Sequence, residues 1–249
     1  MSKRSRLDTL VVARGLAPSR ERARALILAG QVRVNGAPVT KAGTAVEAEA
    51  AVTLDVPDHP YVGRGALKLV HALDTFDILV EGRRALDVGA STGGFTEVLL
   101  LRGASLVVAL DVGHGQLDWK LRTDPRVVVL ERINARNLTA EQLPRSALPL
   151  HIATIDVSFI SLKHILPPLT SLLAPSADVV ALVKPQFEAG RGEVGKGGIV
   201  RDETVQSRVV DEVTAAAHAL GLTRAGLAES PITGVEGNRE FLLHLRPDA

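Results

Sequence analysis

One short stretch limits this chain more than any other: Ala85-Leu86-Asp87-Val88-Gly89-Ala90-Ser91-Thr92-Gly93-Gly94-Phe95-Thr96. An apolar run of strand length reaches Asp87, Gly89 follows, and Gly93-Gly94 opens a segment of helical character, so the order is strand, tight turn, helix. Glycines at such a turn let backbone approach a ligand lying across the carboxyl end of the strand. The surroundings agree. Apolar runs at 84–88, 105–110, 126–130, 151–155 and 178–183 are separated mostly by helix-length segments, and 241–245 adds a further strand. That spacing predicts a largely parallel sheet with helices on both faces. The turn therefore reads as a nucleotide-cofactor site, with Asp111 at the end of the second strand placed to accept hydrogen bonds from ribose hydroxyls. Glycines also serve tight strand–helix packing, and dinucleotide enzymes share the geometry, but the form here is DxGxxxGG rather than GxGxxG. No GxxxxGK[ST] occurs, which argues against a P-loop nucleotide hydrolase.

A chain of 249 residues with 46% hydrophobic content can bury one large α/β core and carry a small appendage. It has no cysteine, which excludes disulfides, zinc–thiolate sites and thiol catalysis and is compatible with a reducing cytoplasm. The N-terminus shows no uninterrupted apolar signal region, and the longest apolar runs fall far short of a bilayer's thickness. The expectation is a cytoplasmic protein with no membrane association.

The net charge of +1 hides an asymmetry: residues 1–41 hold nine Lys/Arg against Asp8 and Glu21 alone. Such a concentration suits a polyanion, although a solvated face would look the same. The pattern within it tips the balance. Ser19 is placed to cap a helix over 20–29 that Gly30 stops, with Ala23, Leu26 and Ile27 on one stripe and Arg20 and Arg24 four residues apart on its flank. Val32 and Val34 alternate about Arg33, and Asn35-Gly36 is a strong turn signal. The string RLDTLVVARGLAPSRERARALILAGQVRVNG resembles the S-four-type RNA-binding module, a small α+β unit named after a ribosomal protein. The resemblance implies binding of structured RNA through shape and phosphates, with Arg4, Arg6, Arg20, Arg22, Arg24 and Arg33 as the candidate contacts. The acidic segment after Thr44, ending in Pro57 and Pro60, reads as a last strand at 52–56 and a linker, giving a module over 1–58, a connection at 59–63 and a catalytic domain over 64–249.

The DxGxxxGG turn with Asp87 and Asp111 resembles class I methyltransferases. Together with YVGRGALKL, TIDVSFISL, VALVKPQFEAGR..VGKGGIVRD and GVEGNREFLLHL, it makes the whole chain similar to the TlyA family, labelled both haemolysins and rRNA 2′-O-methyltransferases. Only Gly63-Arg64-Gly65-Ala66 departs slightly from that family's usual SRGG.KL. The resemblance implies a Rossmann-like, mostly parallel, seven-stranded sheet, S-adenosylmethionine as cofactor, and cytidine ribose in 16S and/or 23S rRNA of the ribosomal subunits as target. It places the cofactor against Asp87, Gly89, Ala90, Ser91, Gly93, Gly94, Phe95 and Asp111. Asn134 is read either as an adenine contact or as a loop cap.

Methyl transfer to a ribose 2′-hydroxyl needs a base and in-line positioning but no metal. By resemblance Lys68, Asp156, Lys184 and Glu240 correspond to the Lys-Asp-Lys-Glu tetrad of FtsJ-like enzymes. Lys184 would then be the base, Asp156 its orienting partner, and Lys68 with Glu240 the hydroxyl-positioning pair. Taken without the tetrad, Asp156 and Lys184 read as a structural ion pair, and Glu236 competes with Glu240 for the last place. The glycine-rich stretch from Phe187 to Gly198 is read either as a cover for substrate or as a plain loop. The rivals are an RNA base methyltransferase, for which the fourth strand lacks a [DN]PP[YF] loop, a membrane-active haemolysin, and an inactive RNA-binding protein.

Overall fold

The computed structural model describes residues 4–28, 30–55, 59–234 and 236–248. The expected helix end at Ala29 and strand end at Val56 lie outside these residues. The chain forms two compact units, spanning 1–60 and 61–249.

In the first unit, β1 (Arg4–Arg6) runs directly into α1 (Leu7–Ala13), and α2 (Arg20–Leu28) follows after a turn. Ser19 Oγ accepts the backbone N–H of Arg22 at 3.1 Å, the capping contact its position called for. β2 (Val32–Val34) pairs with β3 (Ala37–Pro38) and β5 (Val52–Leu54), while β4 (Ala45–Glu47) pairs antiparallel with β1. Asn35 and Gly36 both adopt left-handed backbone, as a two-residue hairpin turn requires. Leu7, Leu10, Val11, Ala23, Leu26, Ile27 and Val32 close the core. The small strands β1 and β4 were not anticipated, because each is three residues long and carries no readable alternation.

The second unit begins with α3 (Gly65–Thr75), followed by β6 (Arg84–Val88), α4 (Gly94–Leu101), β7 (Leu106–Asp111), α5 (Trp119–Arg122), β8 (Val127–Glu131) and β9 (Leu150–Ile155). Then come α6 (Leu166–Thr170), β10 (Leu173–Val183), α7 (Pro185–Glu188), α8 (Glu203–His218), β11 (Leu222–Glu229) and β12 (Phe241–Pro247). Seven strands form one sheet in the order β11-β12-β10-β9-β6-β7-β8, and β12 runs antiparallel to both of its neighbours. Alternate residues serve opposite faces. Leu86, Val88, Val108, Ile155 and Val183 pack toward α6 and α8, whereas Ala85, Val107, Ile152, Val180 and Leu182 pack toward α3 and α4. From β6 the chain winds outward through β7 and β8, then returns to β9 and β10 on the other side. The carboxyl ends of β6 and β9 therefore flank the crevice where ligands bind in such sheets.

Candidate functional site

The crevice is shaped first by backbone. Gly89 leaves β6 at φ +86°, and a Cβ there would sit 2.5 Å from the carbonyl oxygen of Asp156 on the neighbouring strand end, so no other residue fits. Gly93 (φ +99°) turns the chain into α4, where a Cβ would collide with the side chains of Leu117 and Leu121. Ser91, between them, holds φ +47°, and its N–H donates to Asp111 Oδ2 at 2.8 Å.

A cavity of about 540 Å³ opens beside this loop, lined by Gly63, Gly89, Ala90, Ser91, Gly94 and Phe95 on one side and by Lys68, Asp156, Ser158, Phe159, Lys184 and Glu240 on the other. Four different elements deliver the last set. Lys68 projects from α3, Asp156 follows β9, Lys184 follows β10, and Glu240 immediately precedes β12. Lys68 Nζ donates to Glu240 Oε2 at 2.5 Å, and both side chains are buried. Lys184 Nζ lies 2.6 Å from Asp156 Oδ1 in ionic contact without hydrogen-bond alignment, and at 3.1 Å it also donates to Ser158 Oγ. Of the two competing glutamates, Glu240 is enclosed against Lys68, while Glu236 is exposed on the cavity's rim.

Several lining groups were missed in the sequence. Ser158 carried no motif of its own. The amide oxygen of Gln186 is buried, has no hydrogen-bond partner among the described residues and borders the cavity. Phe159 is 90% exposed at the mouth, with its ring 5.1 Å from that of Phe187, which itself lies 5.9 Å from Lys184 Nζ. Beyond Phe187 the glycine-rich stretch is stitched down rather than open. Asn238, fully buried, donates to Gly198 O and accepts the N–H of Val200, each at 2.9 Å.

Asp87, Asp111 and Asn134 lie outside the lining of this cavity. Asp87 does not reach the cavity: it is fully buried, accepting the hydroxyls of Thr96 (2.7 Å) and Thr154 (3.2 Å), so it ties α4 and β9 to β6. Burial away from water pushes its carboxyl up to about 7 despite those hydroxyls. Asp111 borders a separate, much smaller hollow with Ala90, Gly113, Gln116 and Glu131. Its two oxygens accept the N–H groups of Ser91 and Gly113, at 2.8 and 2.7 Å. Asn134 lines neither hollow, and its side chain accepts the N–H of Arg136 at 3.1 Å, the cap of a short turn.

In the first unit, three of the candidate arginines share one anion. Asp8 is fully buried and accepts Arg6 through Nε (3.1 Å) and a terminal nitrogen (3.0 Å), Arg20 at 3.2 Å and Arg24 at 3.2 Å. The three arginine side chains stay about half exposed. The hydrogen bond from Arg6 above all, joined by Arg24 and Arg20, holds the Asp8 carboxyl well below the usual range in spite of its burial. Arg33 pairs with Asp55, Arg22 donates to the His59 carbonyl at 3.3 Å, and Arg4 is exposed on β1. Asp8 was counted in the sequence only as an offsetting charge.

Comparison with known proteins agrees with both units. The family model described as FtsJ-like methyltransferase matches residues 61–247, and that of the S4 domain matches residues 5–52. The chain is 52% identical over 247 residues to the 16S/23S rRNA (cytidine-2′-O)-methyltransferase TlyA of Mycobacterium tuberculosis, covering 99% of this chain and 91% of that protein. A solved structure from Streptococcus thermophilus, titled a hemolysin, is 44% identical with a TM-score of 0.77 and covers 100% of this chain and 90% of that one. A Listeria monocytogenes protein described as an S-adenosylmethionine-dependent methyltransferase, 16% identical, shares the fold with a TM-score of 0.56 over 75% of this chain and 100% of that one.

Proposed function

This chain belongs to the TlyA family of FtsJ-like methyltransferases, and we infer from that premise that it is an S-adenosylmethionine-dependent rRNA (cytidine-2′-O)-methyltransferase. The observation that carries the reading is the meeting of two lysine–carboxylate pairs, Lys68–Glu240 and Lys184–Asp156, in one cavity beside a glycine turn. The residues present fit the cofactor. The loop of residues 89–94 offers close backbone, Asp111 in the adjoining hollow, held by the N–H groups of Ser91 and Gly113, has lone pairs left for ribose hydroxyls, and the buried amide oxygen of Gln186, without a partner among the described residues, borders the cavity. When bound, the sulfonium supplies an electrophilic methyl group.

The side chains divide the remaining work. Lys68, held by Glu240, and Lys184, held by Asp156 and Ser158, both reach the region where the hydroxyl must sit. A resting ammonium cannot accept a proton, so Lys184 acts as base once it has passed one to Asp156 or to water. Lys68 and Glu240 orient the 2′-oxygen in line with the methyl group. Phe159, exposed at the mouth and set at 50° to the ring of Phe187, offers an aromatic face on which a splayed-out base stacks. The module of residues 1–58 anchors rRNA, and the domain of 64–249 performs the transfer. On this reading the enzyme works in the cytoplasm, alongside the ribosomal subunits. A membrane-active role has no support from the described residues, where no helix is long and apolar enough to cross a bilayer.

The test is to map ribose methylation on rRNA from cells with and without the gene. The reading requires at least one cytidine whose 2′-O-methyl mark vanishes with it and returns on complementation. Methyl marks lost only from bases would contradict it.

A further inference from the structure

We infer that Asp8 is a positioning residue for RNA recognition, whose buried carboxylate gathers Arg6, Arg20 and Arg24 into one ordered cationic plate that favours the phosphates of a folded RNA. The inference rests on the RNA-binding reading of the first unit and adds to it a device that selects shape. The geometry is specific. A single oxygen, Oδ2, receives a terminal nitrogen of Arg6, a terminal nitrogen of Arg20 and Nε of Arg24, at 3.0, 3.2 and 3.2 Å. Arg6 arrives from the end of β1, and Arg20 and Arg24 from successive turns of α2.

Three like charges would splay apart in water, and each long side chain would lose rotamer freedom only on meeting its ligand. The common anion removes both obstacles in advance, since it screens the mutual repulsion and orders the guanidiniums before RNA arrives. Asp8 can do this because it is itself anchored: it sits in the first turn of α1, fully buried, with its Oδ1 accepting the N–H of Thr9 at 2.9 Å. One negative charge against three positive leaves the plate net cationic, and the three arginine side chains, each about half exposed, remain open to an anion.

Simple charge counting and positioning predict opposite signs for one substitution. Asp8→Asn adds one unit of positive charge to the basic face, so if the arginines act only as a sum of charges, every RNA binds more tightly. If Asp8 positions them, the full-length variant binds a folded rRNA stem-loop about ten-fold more weakly, the scale of losing charge-assisted hydrogen bonds, while polyuridylate binds as before or more tightly. Both RNAs are titrated across a salt series, with circular dichroism recording the fold. Unchanged or tighter binding of the stem-loop by a folded Asp8→Asn overturns the proposal, as does an equal fall for both RNAs.

Should Asp8→Asn fail to fold, Arg20→Lys and Arg24→Lys decide. Each keeps the charge and loses the planar fork, so positioning requires a selective loss for the stem-loop, and no loss overturns it. Absence of stem-loop binding by the unaltered protein would be distinct from either result, because it removes the RNA-binding reading itself together with the inference.

Discussion

The two functional regions are made from the same chemistry, cations held by carboxylates, in opposite proportions. On the first unit one buried aspartate holds three half-exposed arginines, so positive charge is left over and faces outward. In the cavity each lysine has its own carboxylate, Lys68 with Glu240 and Lys184 with Asp156, and the charges balance where water is scarce. An excess of fixed charge attracts a polyanion at long range. A balanced pair does not attract, but it can hand a proton across a short distance with little change in net charge. Guanidinium suits the first task because it stays protonated, and amine suits the second because it does not have to.

The largest expected effect tests that assignment of types. Lys184→Ala should lower the transfer rate by ~10²–10⁴-fold, the usual cost of a missing general base, while cofactor and rRNA affinity hold. Lys184→Arg preserves the charge and should not restore turnover; near-normal turnover would mean that the cavity uses the cation and not its proton.

Next in size is the cost of unbalancing each region. Glu240→Ala strands the Lys68 ammonium in a buried site and should cost about 3–5 kcal/mol of stability in urea unfolding. Removing one arm of the exposed plate, Arg24→Ala, should cost no more than about 1 kcal/mol. Comparable losses from the two would erase the distinction drawn between the regions. Asp111→Ala should weaken S-adenosylmethionine binding by about 1–3 kcal/mol in calorimetry by removing charged acceptors, and unchanged affinity would take Asp111 out of the cofactor site.

A further effect is a pH slope from the carboxylate beneath the cavity. Asp87 binds its proton more tightly folded than unfolded, since burial raises it to about 7. Its contribution to stability is therefore full below the ordinary carboxylate range and fades as pH rises through about 7. Asp87→Asn should flatten the fall in unfolding free energy over that window. An identical slope in the variant would show that other groups produce it.

How much of this was legible depended on whether the signal was local. The βα turn, the five parallel strands and the ends of β9 and β10 stood out because alternation and glycine placement act over a few residues. β11 left no such trace: Leu222–Glu229 is an exposed edge strand, rich in Ala and Gly and broken by a register shift at Arg224 and Gly226. The burial of Asp87 was not legible because a strand-end carboxylate can face a crevice or lie under it, and only the hydroxyls of Thr96 and Thr154 show which. Asp8 was invisible as an organiser, since its partners come from residues two, twelve and sixteen positions away and converge only in the folded unit. Glu240 could be separated from Glu236 only by seeing which one is buried against Lys68.

The account stands most directly on one oxygen atom. An rRNA substrate with deoxyribose at the target cytidine, and no other change, keeps every phosphate that the basic plate would contact and lacks only the nucleophile that the lysine pairs would activate. It should bind with the affinity of the unmodified substrate and accept no labelled methyl group from S-adenosylmethionine. Transfer of label to the deoxy substrate would contradict the account, since the acceptor would then be the base and the cavity's two balanced pairs would serve some other step.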